Sequence, residues 1–265
     1  RVLVVQCGFG KLALLAKKYK ARYVKAIDTR TIAQFFRHVV DELKVDIVVE
    51  QTSISEVKEK YDIIICDWMG INLYYDSLLS EMLIAKTKLK KCGEILPSGG
   101  KCYICGVTEI NYVDEQYEFW KDVYGFDMSI MLKGVVCTAY IDNIDESKVI
   151  TSKHLLYGVD LNDFEEENLT PRTVKFSITL KRQMPLVGFC TYFDCDVKNK
   201  KISSAPGKKT TWKQCCYLCP SPMNGKIDDV ITGRFKMLRK KGRWMVQIQY
   251  ECKKRQFEGT FPYVF

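Results

Sequence analysis

Two aspartates, Asp67 and Asp76, stand near the two ends of the stretch Cys66-Asp67-Trp68-Met69-Gly70-Ile71-Asn72-Leu73-Tyr74-Tyr75-Asp76-Ser77. The stretch follows the apolar run Asp62-Ile63-Ile64-Ile65 and precedes an amphipathic helical pattern. Two carboxylates therefore hang from the ends of one loop at the margin of a sheet. Earlier in the chain, Cys7-Gly8-Phe9-Gly10 closes the apolar run Val2-Leu3-Val4-Val5, a helical stretch begins at Lys11, and Asp28 closes the next apolar run. A glycine turn between strand and helix admits close backbone approach by a nucleotide, and an acid at the end of the following strand can bind ribose hydroxyls. Gly8, Gly10 and Asp28 occupy suitable places for that chemistry.

Other reactive residue types lack partners. Cys102-Tyr103-Ile104-Cys105 and Cys216-Tyr217-Leu218-Cys219 have the spacing of zinc ligands, but both pairs span strand-favouring residues where a metal knuckle needs a tight turn. No metal is expected. His38 lies off the apolar stripe of its helix and His154 has no cysteine or serine nearby in nucleophile context, so both read as surface histidines.

The elements that must position these groups follow from hydrophobic period. Tyr23–Ile27, Val45–Val49 and Ile63–Ile65 read as strands. Between the first two, Ile32, Phe35, Phe36, Val39, Val40 and Leu43 recur at three and four, as on one face of a helix. Alternating strand and helix implies a parallel sheet covered on both faces. After Leu96-Pro97-Ser98-Gly99-Gly100 the pattern changes to short β-rich segments separated by Gly, Pro, Asn and Asp, namely 102–107, 174–180, 187–193, 212–218, 231–238 and 243–251. These argue an antiparallel β domain. The expected fold is thus α/β + β, with a Rossmann-type domain over 1–97 and a β domain over 98–265. Arg1 opens directly into the first strand, so further chain is expected to precede it.

Between Glu109 and Lys133, aromatic residues including Tyr112, Tyr117, Phe119, Trp120, Tyr124 and Phe126 crowd together with Asp114, Glu115, Glu118 and Asp122. Aromatics with a charged fringe suit a protein–protein contact; a local core lid is the other reading.

Composition bounds the rest. The 265 residues, 47% hydrophobic and 28% charged, describe an ordinary globular chain of one large or two coupled domains. No apolar run approaches the roughly 18 residues of a membrane span. The 12 cysteines do not follow a disulfide-scaffold spacing, which points to a reducing cytoplasm, or the nucleus. Net charge is +9, from 41 basic and 32 acidic residues. The basic residues fall in short clusters such as Lys198-Lys200-Lys201, which read as a solvated surface and leave RNA or an acidic partner open.

In the order of its motifs the chain resembles the protein arginine methyltransferases. Val2 to Gly10 is similar to the family's V-L-D-V-G-x-G-x-G turn for S-adenosylmethionine, and Ile27-Asp28 to its ribose-binding I-E. Asp62 to Leu79 resembles the loop that carries two glutamates in S-E-W-M-G and Y-E-S-M-L. Val123-Tyr124-Gly125-Phe126-Asp127-Met128-Ser129 matches V-Y-G-F-D-M-S, and Thr210-Thr211-Trp212-Lys213-Gln214 resembles T-H-W-K-Q. The resemblance implies a class I methyltransferase domain, a β-barrel, and a dimerisation arm over about 109–132 that docks on a second subunit.

The departures fall on the chemistry. Gln6 stands at the family's first glycine, Phe9 at a small residue and Val4 at an aspartate; Asp67 and Asp76 replace both glutamates, and Thr211 replaces the histidine. Each Glu-to-Asp change retracts a carboxylate by about 1.5 Å, and misplacement of about 1 Å can cost on the order of a hundredfold in rate. The resemblance therefore implies a catalytically inactive, prozyme-type regulatory subunit without bound cofactor, whose partner is a catalytic protein arginine methyltransferase and which meets arginine-rich substrates through the complex. The alternative is an active methyltransferase that uses S-adenosylmethionine and an aspartate-pair clamp.

Overall fold

The computed structural model of the chain describes residues 1–109, 111–170, 173–240, 243–252 and 255–262. Its first part is a five-stranded parallel sheet in the order β3-β2-β1-β4-β5. The elements run β1 (Val2–Val5), α1 (Lys11–Lys18), β2 (Val24–Asp28), α2 (Ile32–Glu42), β3 (Val48–Gln51), β4 (Tyr61–Ile65), α3 (Leu79–Lys86) and β5 (Leu89–Leu96). In β1 the strand period of two sends Val2 and Val4 toward α1 and α2, where Ala13, Ala33, Phe36 and Val40 pack on them. Leu3 and Val5 face the opposite side and join the main core with α3 and the β domain. Both faces of the sheet are covered, as a parallel sheet requires.

The third strand begins at Val48, three residues later than its apolar run suggests. Lys44 takes the left-handed conformation with φ 50°, Val45 N–H returns to Val40 O, and Ile47 N–H bonds Val45 O. The end of α2 thus consumes Val45 to Ile47 before the ladder can start.

The second part begins where β5 ends at Leu96 and β6 (Gly99–Val107) starts. Next come α4 (Asn111–Lys121), α5 (Leu132–Val136), β7 (Tyr140–Asp142), β8 (His154–Asp160), β9 (Val174–Thr179) and β10 (Leu186–Val197). The chain continues through β11 (Lys200–Ser203), β12 (Gln214–Met223), β13 (Val230–Lys240), β14 (Arg243–Cys252) and β15 (Arg255–Pro262). One antiparallel sheet has the order β7-β12-β10-β6-β8, with β11 paired to β10, and a second has the order β15-β14-β13-β9. Phe176, Phe189, Tyr217, Phe235, Val246 and Ile248 fill the space between them, giving a barrel-like body. The fold is thus a Rossmann-like parallel sheet joined to a barrel-like antiparallel one through a continuous core. Among the described residues no helix is long and apolar enough to cross a membrane.

The zinc-like cysteine pairs are pulled apart by the strand period. Cys102 and Cys219 face the main core, whereas Cys105 and Cys216 face a separate cluster on the other side of the sheet. There Cys105, Cys190 and Cys216 lie in register across β6, β10 and β12. Hydrogen bonds with Cys105 and Cys216, then burial, hold the Cys190 thiol well above its ordinary range, so these are packed rather than reactive thiols. No group of three or more His, Cys, Asp or Glu among the described residues could hold a metal ion. His38 is exposed and His154 half-buried.

Candidate functional site

The site lies at the carboxyl ends of β1, β2 and β4, the crevice where doubly wound sheets take ligands. Between β1 and α1 the backbone enters the left-handed region at Gln6 (φ 52°), Gly8 (φ 53°) and Gly10 (φ 83°). That conformation costs a non-glycine residue about 1–2 kcal/mol, so Gln6 keeps a backbone shape suited to glycine while adding a side chain. Its amide Nε2 reaches Thr29 Oγ1 at 3.4 Å, bridging the ends of β1 and β2. Gly8 has open space where a side chain would stand, whereas a Cβ on Gly10 would run into the Phe36 ring of α2. Phe9 is exposed.

Asp28, at the end of β2, is almost wholly buried. Its Oδ1 accepts from Arg30 N–H at 3.0 Å and Arg30 Nε at 2.9 Å. Its Oδ2 accepts from Gly8 N–H at 2.9 Å and Arg30 Nη2 at 2.9 Å. Burial alone would raise this carboxyl, but the Arg30 side chain and the Arg30 and Gly8 amides outweigh it and hold Asp28 below the usual carboxylate range. Arg30 was not legible as part of the site. The signal was the Asp-Thr-Arg order at a strand end, where an aspartate side chain caps the amide two residues on.

The loop after β4 is anchored at its core and open at its acids. Trp68 is fully buried and donates from Nε1 to Pro97 O at 2.9 Å. Asn72, also buried, donates from Nδ2 to the Tyr217 hydroxyl at 2.7 Å, and its carbonyl accepts from the Tyr157 hydroxyl at 2.9 Å. These bonds tie the loop to β5's end and to the barrel. Asp67 and Asp76 both face solvent, Asp76 in the left-handed conformation with φ 54°. Partial desolvation pushes the Asp67 carboxyl up, opposed by a hydrogen bond from the Trp212 side chain.

Trp212 precedes β12, where the sequence placed it inside a strand; Lys213, at φ 54°, breaks the extended chain there. Its ring packs edge-on against Phe193 at 5.4 Å. Gln214 fixes the loop from behind, accepting from Ile144 N–H at 2.6 Å and donating to Ser204 O at 2.7 Å. Thr211 is exposed, and the neighbouring Thr210 hydroxyl is buried without a hydrogen-bond partner. The fold thus gathers Asp67 and Trp212 on one side and Gln6, Gly8 and Asp28 on the other around the same sheet end.

The aromatic segment stands apart. Phe119, Tyr124 and Phe126 are 54%, 97% and 71% exposed, which excludes the local-core reading for these three rings. Trp120 is half-buried, donating from Nε1 to Gln116 Oε1 at 3.1 Å and stacking edge-on with Phe119 at 5.0 Å. The side chains of Tyr112 and Tyr117 lie outside the described residues. On the parallel-sheet domain, α1 exposes Leu12 and Leu15, with the adjoining Tyr19, and α2 exposes Phe35 and Val39, with the adjoining Leu43.

Residues 99–255 match the family model described as the arginine methyltransferase oligomerization subdomain. The chain is 30% identical over 250 residues to protein arginine N-methyltransferase 1 of Caenorhabditis elegans, covering 89% of this chain and 72% of that protein. It is 31% identical over 245 residues to protein arginine N-methyltransferase 1 of Saccharomyces cerevisiae, covering 88% and 70%. Its fold is similar to a chain of the Trypanosoma brucei PRMT1 enzyme-prozyme heterotetrameric complex with AdoHcy, at a TM-score of 0.87 and 23% identity over 100% of this chain and 89% of that one. It is also similar to Arabidopsis thaliana protein arginine methyltransferase 10, with TM-score 0.83 and 22% identity over 99% and 89%.

Proposed function

The chain belongs to the protein arginine methyltransferase family, and we propose that within it this chain is a regulatory, prozyme-type subunit that does not methylate arginine itself but assembles with and activates a catalytic subunit. The observation that carries this reading is the anchoring of the acid loop. Trp68 to Pro97 O, and Asn72 to Tyr217 and Tyr157, fix the loop from behind. The loop therefore does not advance to make up for the shorter acids. Each aspartate reaches about 1.5 Å less far than a glutamate would from the same position, a shortfall of the size that costs productive transfer on the order of a hundredfold.

The exposed rings of the arm supply the other half. Apolar area of this kind, rimmed by Glu115, Glu118 and Asp122, fits the anchors of a protein interface. The outer faces of α1 and α2, with Leu12, Leu15 and Phe35 exposed, offer a surface for a partner's arm. The Trypanosoma brucei complex is an assembly of the enzyme–prozyme kind, and the reading gives this chain the analogous place. Arginine-rich substrates would then meet the chain through the complex, in the cytoplasm or nucleus.

The test is a methylation assay on an arginine-rich protein with the chain alone, the catalytic partner alone, and both together. Turnover should be absent from the chain alone and rise when the two are mixed. Ordinary turnover by the lone chain would instead support an active enzyme with an aspartate-pair clamp.

A further inference from the structure

The family implies S-adenosylmethionine as cofactor, and the acid placed to meet its ribose, Asp28, is already engaged by Arg30 in this chain. We propose that Arg30 is a built-in occupant of the ribose-recognition position, its guanidinium holding Asp28 so that an adenosyl ribose cannot bind without expelling it. This deepens the regulatory reading by naming what fills the crevice.

The argument is one of acceptor capacity. A carboxylate has about four lone-pair positions, and Asp28 accepts four hydrogen bonds, from Gly8 N–H, Arg30 N–H, Arg30 Nε and Arg30 Nη2. A ribose diol needs two of these positions for neutral hydroxyl donors. Arg30 already fills two of them with a charged, two-pronged grip, which is stronger per bond than a neutral donor and pays no cost of association, being two residues away. The Asp28 side chain has no exposed surface, whereas that of Arg30 is 65% exposed. The guanidinium thus lies over the acid as a cover, with its outer side in solvent.

A second set of bonds closes the neighbouring ground. Gln6 reaches Thr29, Gln51 Nε2 donates to Thr29 O at 3.3 Å, and Gln34 Nε2 donates to Gln51 Oε1 at 2.7 Å. These join the carboxyl ends of β1, β2 and β3 by side chains of this chain alone.

The experiment titrates S-adenosylhomocysteine calorimetrically into the wild-type chain, Arg30→Ala, and the double variant Arg30→Ala/Asp28→Asn, each checked for fold by circular dichroism. Arg30→Ala should bind at least tenfold more tightly than wild type, and the added Asp28→Asn should remove that gain. A folded Arg30→Ala that binds no better than wild type overturns the proposal. Should Arg30→Ala not fold, Arg30→Lys keeps the charge and loses the two-pronged grip; it should show a smaller gain, and no gain overturns the proposal equally. The regulatory reading fails separately, if the wild-type chain methylates unaided whatever the ordering of these affinities.

Discussion

The Phe36 ring of α2 occupies the ground that any side chain at Gly10 would need. Gly10 also carries φ 83° as the residue before α1. Its identity therefore follows from helix packing and backbone shape, and it would be required even in a chain that never held a nucleotide. Gly8 shares the left-handed backbone but has open space around it.

This contrast gives a stability prediction. Gly10→Ala adds both left-handed strain, about 1–2 kcal/mol, and overpacking against Phe36, about 1–3 kcal/mol. Gly8→Ala adds only the first. Urea denaturation should place Gly10→Ala below Gly8→Ala by at least about 1 kcal/mol. Equal losses would mean that Phe36 yields without strain and that the turn alone demands glycine.

Much of the frame was legible because local and global signals agree in it. The run Val2–Val5, the turn at Gly8 and Gly10, and the three-and-four spacing through Phe36 and Val40 each point to one solution, and the parallel sheet with α1 and α2 on one face satisfies all of them. What stayed hidden depends on side-chain direction. The grip of Arg30 on Asp28 requires a particular rotamer over an Asp-capped turn, and the meeting of Asp67 with Trp212 joins segments far apart in sequence. Short strands such as β7 and β11 have too few residues to show a period of two. Asn72 reads as an ordinary loop asparagine, and its burial against Tyr217 follows from the barrel closing over the loop.

Lengthening the acids alone should not create an enzyme. Asp67→Glu with Asp76→Glu restores about 1.5 Å of reach at each position, but Gln6, the Asp28–Arg30 pair and Thr211 are unchanged. The double variant should remain without measurable methylation of an arginine-rich protein. Ordinary turnover from these two changes would show that the cofactor crevice was intact all along, and that only clamp length separates this chain from its active relatives.

The Asp28–Arg30 pair should also be visible in the pH dependence of stability. Burial pushes the Asp28 carboxyl up, and Arg30 and the turn amides more than reverse this, so its folded value lies below the ordinary 3.8. A lowered carboxylate stabilises the fold at pH above its unfolded value, and the contribution is lost as pH falls through the folded value. Because the Arg30 side chain is largely exposed, screening limits the effect to about 1 kcal/mol. Arg30→Ala should be less stable than wild type by about that amount near pH 7, and the two unfolding curves should converge as pH drops below 3.8. A difference that persists undiminished in acid would assign the loss to packing rather than to the ion pair.

The arm prediction follows from which rings are most exposed. Phe119 and Phe126 are mostly exposed, whereas Trp120 is tied into the arm by Gln116 and by its own carbonyl, which accepts from Met128 N–H at 2.8 Å. Replacing Phe119 and Phe126 by alanine therefore removes exposed apolar surface, and with it the Phe119–Trp120 ring contact, while leaving the segment's hydrogen bonds in place. Truncating an interface anchor typically costs about 2 kcal/mol or more, roughly a thirtyfold loss of affinity for each ring. The double variant should keep the circular dichroism of the wild-type chain, fail to co-purify with the catalytic subunit, and lose its effect on that subunit's rate. Trp120→Ala should differ, lowering stability of the isolated chain as well as assembly, because it breaks the Gln116 bond. A Phe119→Ala/Phe126→Ala chain that still assembles with and activates its partner would place the interface elsewhere and leave the exposed arm without a role in it.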